Sequence, residues 1–263
     1  GNVTINDSVT EGAIQIDSTN DAILFTGENG SLYQPVYGSD DGLVLYLPFN
    51  APNGTTQYDR SPYGNDGTTY NRVTCNATYG KYGVGCTFDG TSDYINTSFS
   101  DADFVGFTAE AWIYPTTVAG GSKVIISHGS APTDNGWSFE RQADSLRLTF
   151  HGVGNYDSNA NILSANKWQH VAVTLEGTTS TFYLDGNQVG TATTGTMGKG
   201  THPYAIGGRV NGNFYTGSID EVMVYSRTLA PEEIRTHYLR GSGHGASGAI
   251  TANVFRVVNT SGT

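Results

Sequence analysis

The sequence predicts an all-β protein with a single short helix near its C-terminal end, and three observations carry that reading. Runs such as FTAEAWIYP (107–115), HVAVTL (170–175) and SIDEVMVY (218–225) alternate side chains with period two, the repeat of a strand with one face on a core. Turn formers punctuate the runs: 35 glycines, with Asp-Gly pairs at Asp89 and Asp185 that suit tight hairpins. Charged residues make up only 14%, against about 25% in an average domain, while tyrosine reaches 16. A chain of 263 residues has room for one large β-domain plus extensions.

In chain order, residues 1–40 hold short β-prone runs (Val3 and Ile5, Ile14 and Ile16, Ile23 to Phe25) between Asn, Asp and Gly turns, none long enough to bury a core alone. Residues 241–263 echo that pattern, so β extensions are expected on both sides of a central domain over 41–240. In that domain Leu43, Leu45 and Leu47 alternate with Val44, Tyr46 and Pro48, a strand covered on both sides. The loop YDRSPYGNDGT (58–68) offers Asp59, Asn65 and Asp66 either to their own backbone or to a cation. Cys75 and Cys86, eleven apart, read as a local disulfide tying neighbouring strands in an oxidising setting, with two buried thiols as the alternative.

Alternation on 107–114 turns Phe107, Ala109, Ala111 and Ile113 inward and Thr108, Glu110, Trp112 and Tyr114 to the other face. HVAVTL likewise turns Val171, Val173 and Leu175 inward and His170 outward. If these strands are neighbours, Trp112, Tyr114, Glu110 and His170 line one groove, where a sugar would stack on the rings and present hydroxyls to the carboxylate. The alternative is a second core layer beneath covering loops. Trp137 and Arg141, four apart after the polar loop TDNG, are a second pair of candidate ligand contacts at a loop rim, against simple packing.

In the last strand, strict alternation sets Asp220 on the face of Val222 and Val224. An inward carboxylate must be protonated, paired or bound to a metal; calcium, which accepts irregular oxygen shells, and a cap on local backbone N–H groups are the two readings. Beyond it, Pro231 with Glu232 and Glu233 starts a helix whose Ile234 and Tyr238 share a face.

Several pieces then occur in a family order: DGLVLYLPFN (41–50), YDRSPYGNDGT (58–68), GKYGVGCTFDGTSDYI (80–95), FTAEAWIYP (107–115), KWQHVAVT with FYLDGNQVG (167–190), and GSIDEVMVYSRTLAPEEI (217–234). Together they resemble the laminin-G-like, concanavalin A-like jelly-roll domains. The resemblance implies a two-sheet antiparallel jelly-roll sandwich and a structural Ca2+ held by Asp220 with Asp89 or Gly90 and a carbonyl near Asn50. AILFTGENGSLY and VFRVVNTSGT resemble, more briefly, the repeats of viral tail fibres and other extracellular filaments, which implies assembly of a homo-oligomer through the terminal segments.

A net charge of -11 with scattered basic residues disfavours nucleic acid and anionic membranes. No apolar run reaches the roughly 20 residues of a membrane span. Seven N-x-S/T sequons, at Asn2, Asn6, Asn29, Asn53, Asn76, Asn96 and Asn259, agree with an extracellular setting. No pair of acids one alternation apart on a strand supplies a glycosidase centre, and the histidines form no H-E-x-x-H. The expected function is therefore a non-catalytic extracellular adhesion module for a glycan or cell-surface protein; a structural fibre subunit and, more remotely, a glycoside hydrolase are the alternatives.

Overall fold

A computed structural model describes residues 41–98, 104, 106–129, 135–198, 200, 202–209 and 212–241, together with three strands before residue 41. The chain divides into two compact units, Gly1–Asp40 with Ala246–Thr263, and Asp41–Gly245. In the first unit, β1 (Thr4–Asn6), β2 (Ala13–Asp17) and β3 (Ala22–Thr26) form an antiparallel meander. The expected C-terminal β extension lies outside the described residues.

The second unit contains β4 (Leu43–Leu47), β5 (Thr56–Gln57), β6 (Gly67–Tyr70), β7 (Thr74–Asn76), β8 (Gly85–Asp89), β9 (Tyr94–Thr97), β10 (Gly106–Pro115) and β11 (Ser122–His128). It continues with β12 (Trp137–Gln142), β13 (Ser145–Phe150), β14 (Gly154–Asp157), β15 (Gln169–Glu176), β16 (Thr179–Leu184), β17 (Asn187–Thr193), β18 (Tyr204–Ile206), β19 (Thr216–Tyr225) and the helix α1 (Pro231–Gly241). Two eight-stranded antiparallel sheets result. The first runs β17-β16-β15-β10-β19-β8-β7, with β4 on the remaining half of β19; the second runs β14-β13-β12-β11-β18-β9-β6-β5.

The alternation read from the sequence fills the space between the sheets. Phe107, Ala109, Ala111 and Ile113 of β10 and Val171, Val173 and Leu175 of β15 join Trp137, Phe139, Leu146, Leu148 and Phe150 of the second sheet in one core. Asp185 (φ 49) and Gly186 (φ 72) make the two-residue turn between β16 and β17, both left-handed as a type I′ turn requires. Cys75 and Cys86 pair across β7 and β8 and are joined as a disulfide.

The last strand departs from strict alternation. Between its pairings with Trp112 and Glu110, β19 carries a β-bulge, with Glu221 at φ 51. The extra residue flips the parity, so Ile219, Val222 and Val224 all point into the core. Asp220, directly opposite Trp112, lies on the other side of the sheet. The expectation that it shares a face with the valines is thus corrected, although the residue is completely buried.

What buries it is a cover over the outward face of the first sheet. Helix α1 begins with one half of a capping box, in which Glu233 accepts the Ala230 N–H at 2.8 Å, and Arg227 clamps the same carboxylate at 2.7 and 2.9 Å. The ion pair with Arg227 holds Glu233 down at about 2. Leu229 and Ile234 meet Leu43, Ala172, Tyr183 and Tyr225 in a second, smaller core. At the start of the unit, Gly42 O accepts the Ser226 N–H at 2.7 Å and Asp41 O accepts Arg227 Nε at 2.8 Å, so β4 and the end of β19 lie side by side.

Candidate functional site

The first expected groove is assembled but closed. Strands β10 and β15 are neighbours, with Trp112 opposite His170 and their rings 5.4 Å apart, and His170 Nε2 sits 3.6 Å from Glu110 Oε2. Over them lies α1: His237 Nδ1 meets Glu110 Oε1 at 2.6 Å and Tyr238 stacks on Trp112 at 5.7 Å. From the other side Tyr82 packs its edge on Trp112 and Lys81 Nζ stands 4.5 Å from the ring. Glu110, Trp112 and His170 are 0%, 4% and 2% exposed; Tyr114, half-buried, leans on Trp168. Burial alone would raise the Glu110 carboxyl, yet His237 by charge and hydrogen bond, with His170 behind, holds it below the usual range. Burial pushes His170 down, against the pull of Glu110. Glu110, Trp112 and His170 therefore anchor a helix, Tyr114 packs beside them on Trp168, and the four do not line an open groove.

For Trp137 and Arg141 the packing alternative holds as well, and the rim contact does not. Trp137 is 1% exposed and stacks on Phe107 at 4.4 Å inside the sandwich. Arg141, equally buried, donates through Nη1 to Ala143 O and Ala119 O, and its desolvation lowers its pKa. The polar loop before Trp137 suggested a rim, but the strand begins at the tryptophan itself and turns it inward.

The four expected metal ligands do not converge. Asp220 Oδ2 accepts the N–H groups of Lys81 and Tyr82 at 2.8 and 3.0 Å, and Oδ1 accepts that of Glu221 at 2.9 Å. Asp89 pairs with Thr216, four positions along β19, which sets it roughly 13 Å from Asp220. There its Oδ1 accepts the N–H groups of Thr91, Ser92 and Asp93 around the Gly90 turn. Asn50 is exposed beside Gly83. Both carboxylates are thus occupied by backbone donors, the capping alternative, and the residues do not fit a shared calcium ion. Among the described residues no group of three or more His, Cys, Asp or Glu side chains gathers as a metal site. Asp59 behaves alike, its carboxylate accepting from Tyr46 N, Ser61 N, Ser61 Oγ and Asn65 N.

The surface that remains is the outward face of the second sheet. Reading rung by rung, Thr56 opposes Thr68, Thr68 opposes Asn96, Asn96 opposes Ala205, and Ala205 opposes Ser127. Ser127 then opposes Ser138, Ser138 opposes Thr149, and Thr149 opposes Asn155. Cross-strand partners share a face, so one transverse row of short, nearly all polar side chains crosses all eight strands, about 34 Å from end to end. Its ends are open and its centre is covered: Ser138 Oγ donates to Glu140 Oε1 at 2.6 Å and lies 3.2 Å from His151 Nε2, while Arg209 reaches over to His151 at 3.3 Å and Glu140 at 3.7 Å. One step along the strands, Glu140 opposes Arg147 and Arg147 opposes Asp157, to which Arg147 is bound by two hydrogen bonds of 2.6 and 2.7 Å. In the same tier Tyr70 opposes Tyr94. Single-strand reading misses this row, because each strand contributes one or two unremarkable residues and only the register aligns them.

The carboxylates on the two faces do not form a hydrolytic pair. Glu110 is bonded to histidines beneath the helix, and Asp157, two rungs from Glu140, is taken up by Arg147. Glycosidase chemistry needs two acids flanking an open bond.

A family model described as the concanavalin A-like lectin/glucanases superfamily matches residues 89–235. Among solved structures, domain 4 of AbnA, an extracellular arabinanase from Geobacillus stearothermophilus in complex with arabinotriose, superposes with TM-score 0.62 at 16% identity, covering 74% of this chain and 97% of that one. The receptor binding domain of botulinum neurotoxin D gives 0.61 at 17%, covering 76% and 53%. Trypanosoma rangeli sialidase gives 0.55 at 18%, covering 78% and 33%. The chain spans about half the length of the toxin domain, and these likenesses are of fold.

Proposed function

The chain belongs to the concanavalin A-like lectin/glucanases superfamily, and from that premise we propose that it is a non-catalytic, extracellular recognition module that holds a glycan, free or on a cell-surface partner, against its second sheet. The observation that carries this reading is the transverse row of short polar side chains on the outward face of that sheet, the face that no helix among the described residues covers. Hydroxyl and amide groups on a rigid sheet match the hydroxyl spacing of a sugar without the desolvation cost of fixed charges. Structures of similar fold include a domain crystallised with arabinotriose and toxin receptor-binding domains, which agrees with a binding role. The separated, paired carboxylates support the absence of catalysis, and the Cys75–Cys86 disulfide supports an oxidising location.

The test is binding of the full chain to a glycan array and to intact cells, alongside Thr68→Arg and Asn155→Arg, which block opposite open ends of the row. Loss of binding in either variant at unchanged melting temperature supports the reading. Silence of the wild type on both surfaces, or binding that ignores both arginines, refutes it.

A second reading, a structural subunit of a fibre that carries the sandwich as decoration, is favoured by one observation: both terminal segments fall in a single compact unit apart from the sandwich. Light scattering of the full chain and of residues 41–245 tests it, since an assembly element loses its oligomer on trimming.

A further inference from the structure

At the edge of the second sheet the structure carries aromatic side chains that the fold does not use. Tyr70 and Tyr94, directly opposed on β6 and β9, stack with ring centres 4.7 Å apart and planes 3° from parallel. Phe214 continues the row 6.4 Å beyond Tyr94. Gly208 makes room for it, since a Cβ there would stand 2.6 Å from the phenyl ring. None of the three belongs to either hydrophobic core, and Tyr70 is 40% exposed. Tyr94 and Phe214 are half-buried beside it, and a cross-strand aromatic pair contributes about 0.2–1 kcal/mol to a sheet, little reason to keep Tyr70 in water.

The neighbours on the same face define what the rings would meet. One alternation from Tyr70 is Thr68 and one from Tyr94 is Asn96, themselves opposed, with Thr56 on the next rung. These rungs carry hydroxyl and amide groups and no ionisable chain but the tyrosines. An aromatic row beside uncharged donors and acceptors suits a ligand with both an apolar C–H face and hydroxyl edges. A net charge of -11 disfavours a polyanion. We propose that Tyr70, Tyr94 and Phe214, with Thr68 and Asn96, form a subsite for a neutral, pyranose-based glycan segment of about disaccharide size, its C–H groups against the solvent-facing side of the aromatic row and the open face of Tyr70. The assignment rests on the glycan-binding reading above and locates it at one end of the polar row. Asn96 is also a sequon, so an attached glycan would fill the subsite, and the test uses protein made without N-glycosylation.

The experiment is titration of the full chain with neutral gluco-, galacto- and xylo-oligosaccharides and with uronate-containing and sulfated counterparts, followed by tyrosine resonances and calorimetry. The expected result is binding of at least one neutral oligosaccharide, weakened tenfold or more by Tyr70→Ala and Phe214→Ala, retained in Tyr70→Phe, and unaffected by Tyr58→Ala, an exposed tyrosine outside the ring row. If the wild type binds neutral glycans and both alanine variants bind equally well, the subsite falls and the glycan reading stands. If only acidic glycans bind, the ligand class is overturned; if no glycan binds, both readings fall. Unchanged melting temperatures of the variants separate lost contacts from lost fold.

Discussion

Replacing Asp220 by alanine tests how the first sheet is locked. The carboxylate accepts three backbone N–H groups, two of them from the Lys81–Tyr82 segment that lies over Trp112. Its removal leaves three donors without a partner in a site where position 220 is completely buried. Each orphaned donor costs about 1–3 kcal/mol. Part of this is returned because the carboxyl no longer has to be desolvated, so the expected loss is the lower end, about 3 kcal/mol. For a unit of this size that is a fall in melting temperature of roughly 6–12 °C. Asp220→Asn keeps one oxygen for Lys81 and Tyr82 but turns an amide towards the Glu221 N–H, so it should cost about half as much. The assay is thermal unfolding of the full chain followed by tryptophan fluorescence, which reports on Trp112 beneath the segment, with and without a chelator. A melting temperature for Asp220→Ala within about 2 °C of wild type, or a chelator effect on wild type as large as the substitution, refutes the capping account.

Burial, reinforced by Glu221, pushes Asp220 up to about 8 against the pull of its N–H donors. A raised acid binds its proton more tightly in the native state, so this contribution to stability is full below about pH 4 and is lost as pH rises through about 8; melting curves should show that slope in wild type and a flatter one in Asp220→Asn. Removing the disulfide as Cys75→Ala/Cys86→Ala releases a loop of eleven residues and should cost about 2.8 kcal/mol by chain entropy, read from urea unfolding; a loss below about 1 kcal/mol would contradict it. Trp137→Ala should cost about 3–5 kcal/mol through the cavity beside Phe107 and leave glycan affinity per folded molecule unchanged. Arg141→Met should be neutral or stabilising in the same melts, because a buried guanidinium whose hydrogen bonds among the described residues are two carbonyl contacts gives way to an apolar chain of similar reach.

Much of the fold was legible because its signals are local. Alternation on 107–115 and 170–175 named the inward residues, Asp185-Gly186 named a hairpin, and Pro231 with its glutamates named the helix. What failed was relational. Period two carries no mark for an inserted residue, so Asp220 was set on the wrong face, and the bulge is visible only against β10. Of the two readings of the β10–β15 cluster, open groove or covered second layer, the second holds, and the sequence does not decide between them because the cover comes from residues 81, 82, 237 and 238, distant in sequence from Trp112. The metal set drew together Asp89 and Asp220, which the register holds four positions apart on one ladder. The aromatic row and the polar rungs had no sequence signal stronger than scattered Tyr, Thr and Asn.

The side-by-side course of β4 and the end of β19 has a mechanical consequence. The polypeptide arrives at Asp41 and departs through α1 after β19, and the two strands run antiparallel. Tension between the two ends would therefore reach the helix first, stripping Ile234, His237 and Tyr238 from the sheet, and would then unzip the β4–β19 ladder one rung at a time instead of shearing it. In a tethered setting the sandwich would yield at low force through its outer layer while the disulfide-linked β7 and β8, which pair along the other half of β19, stay intact.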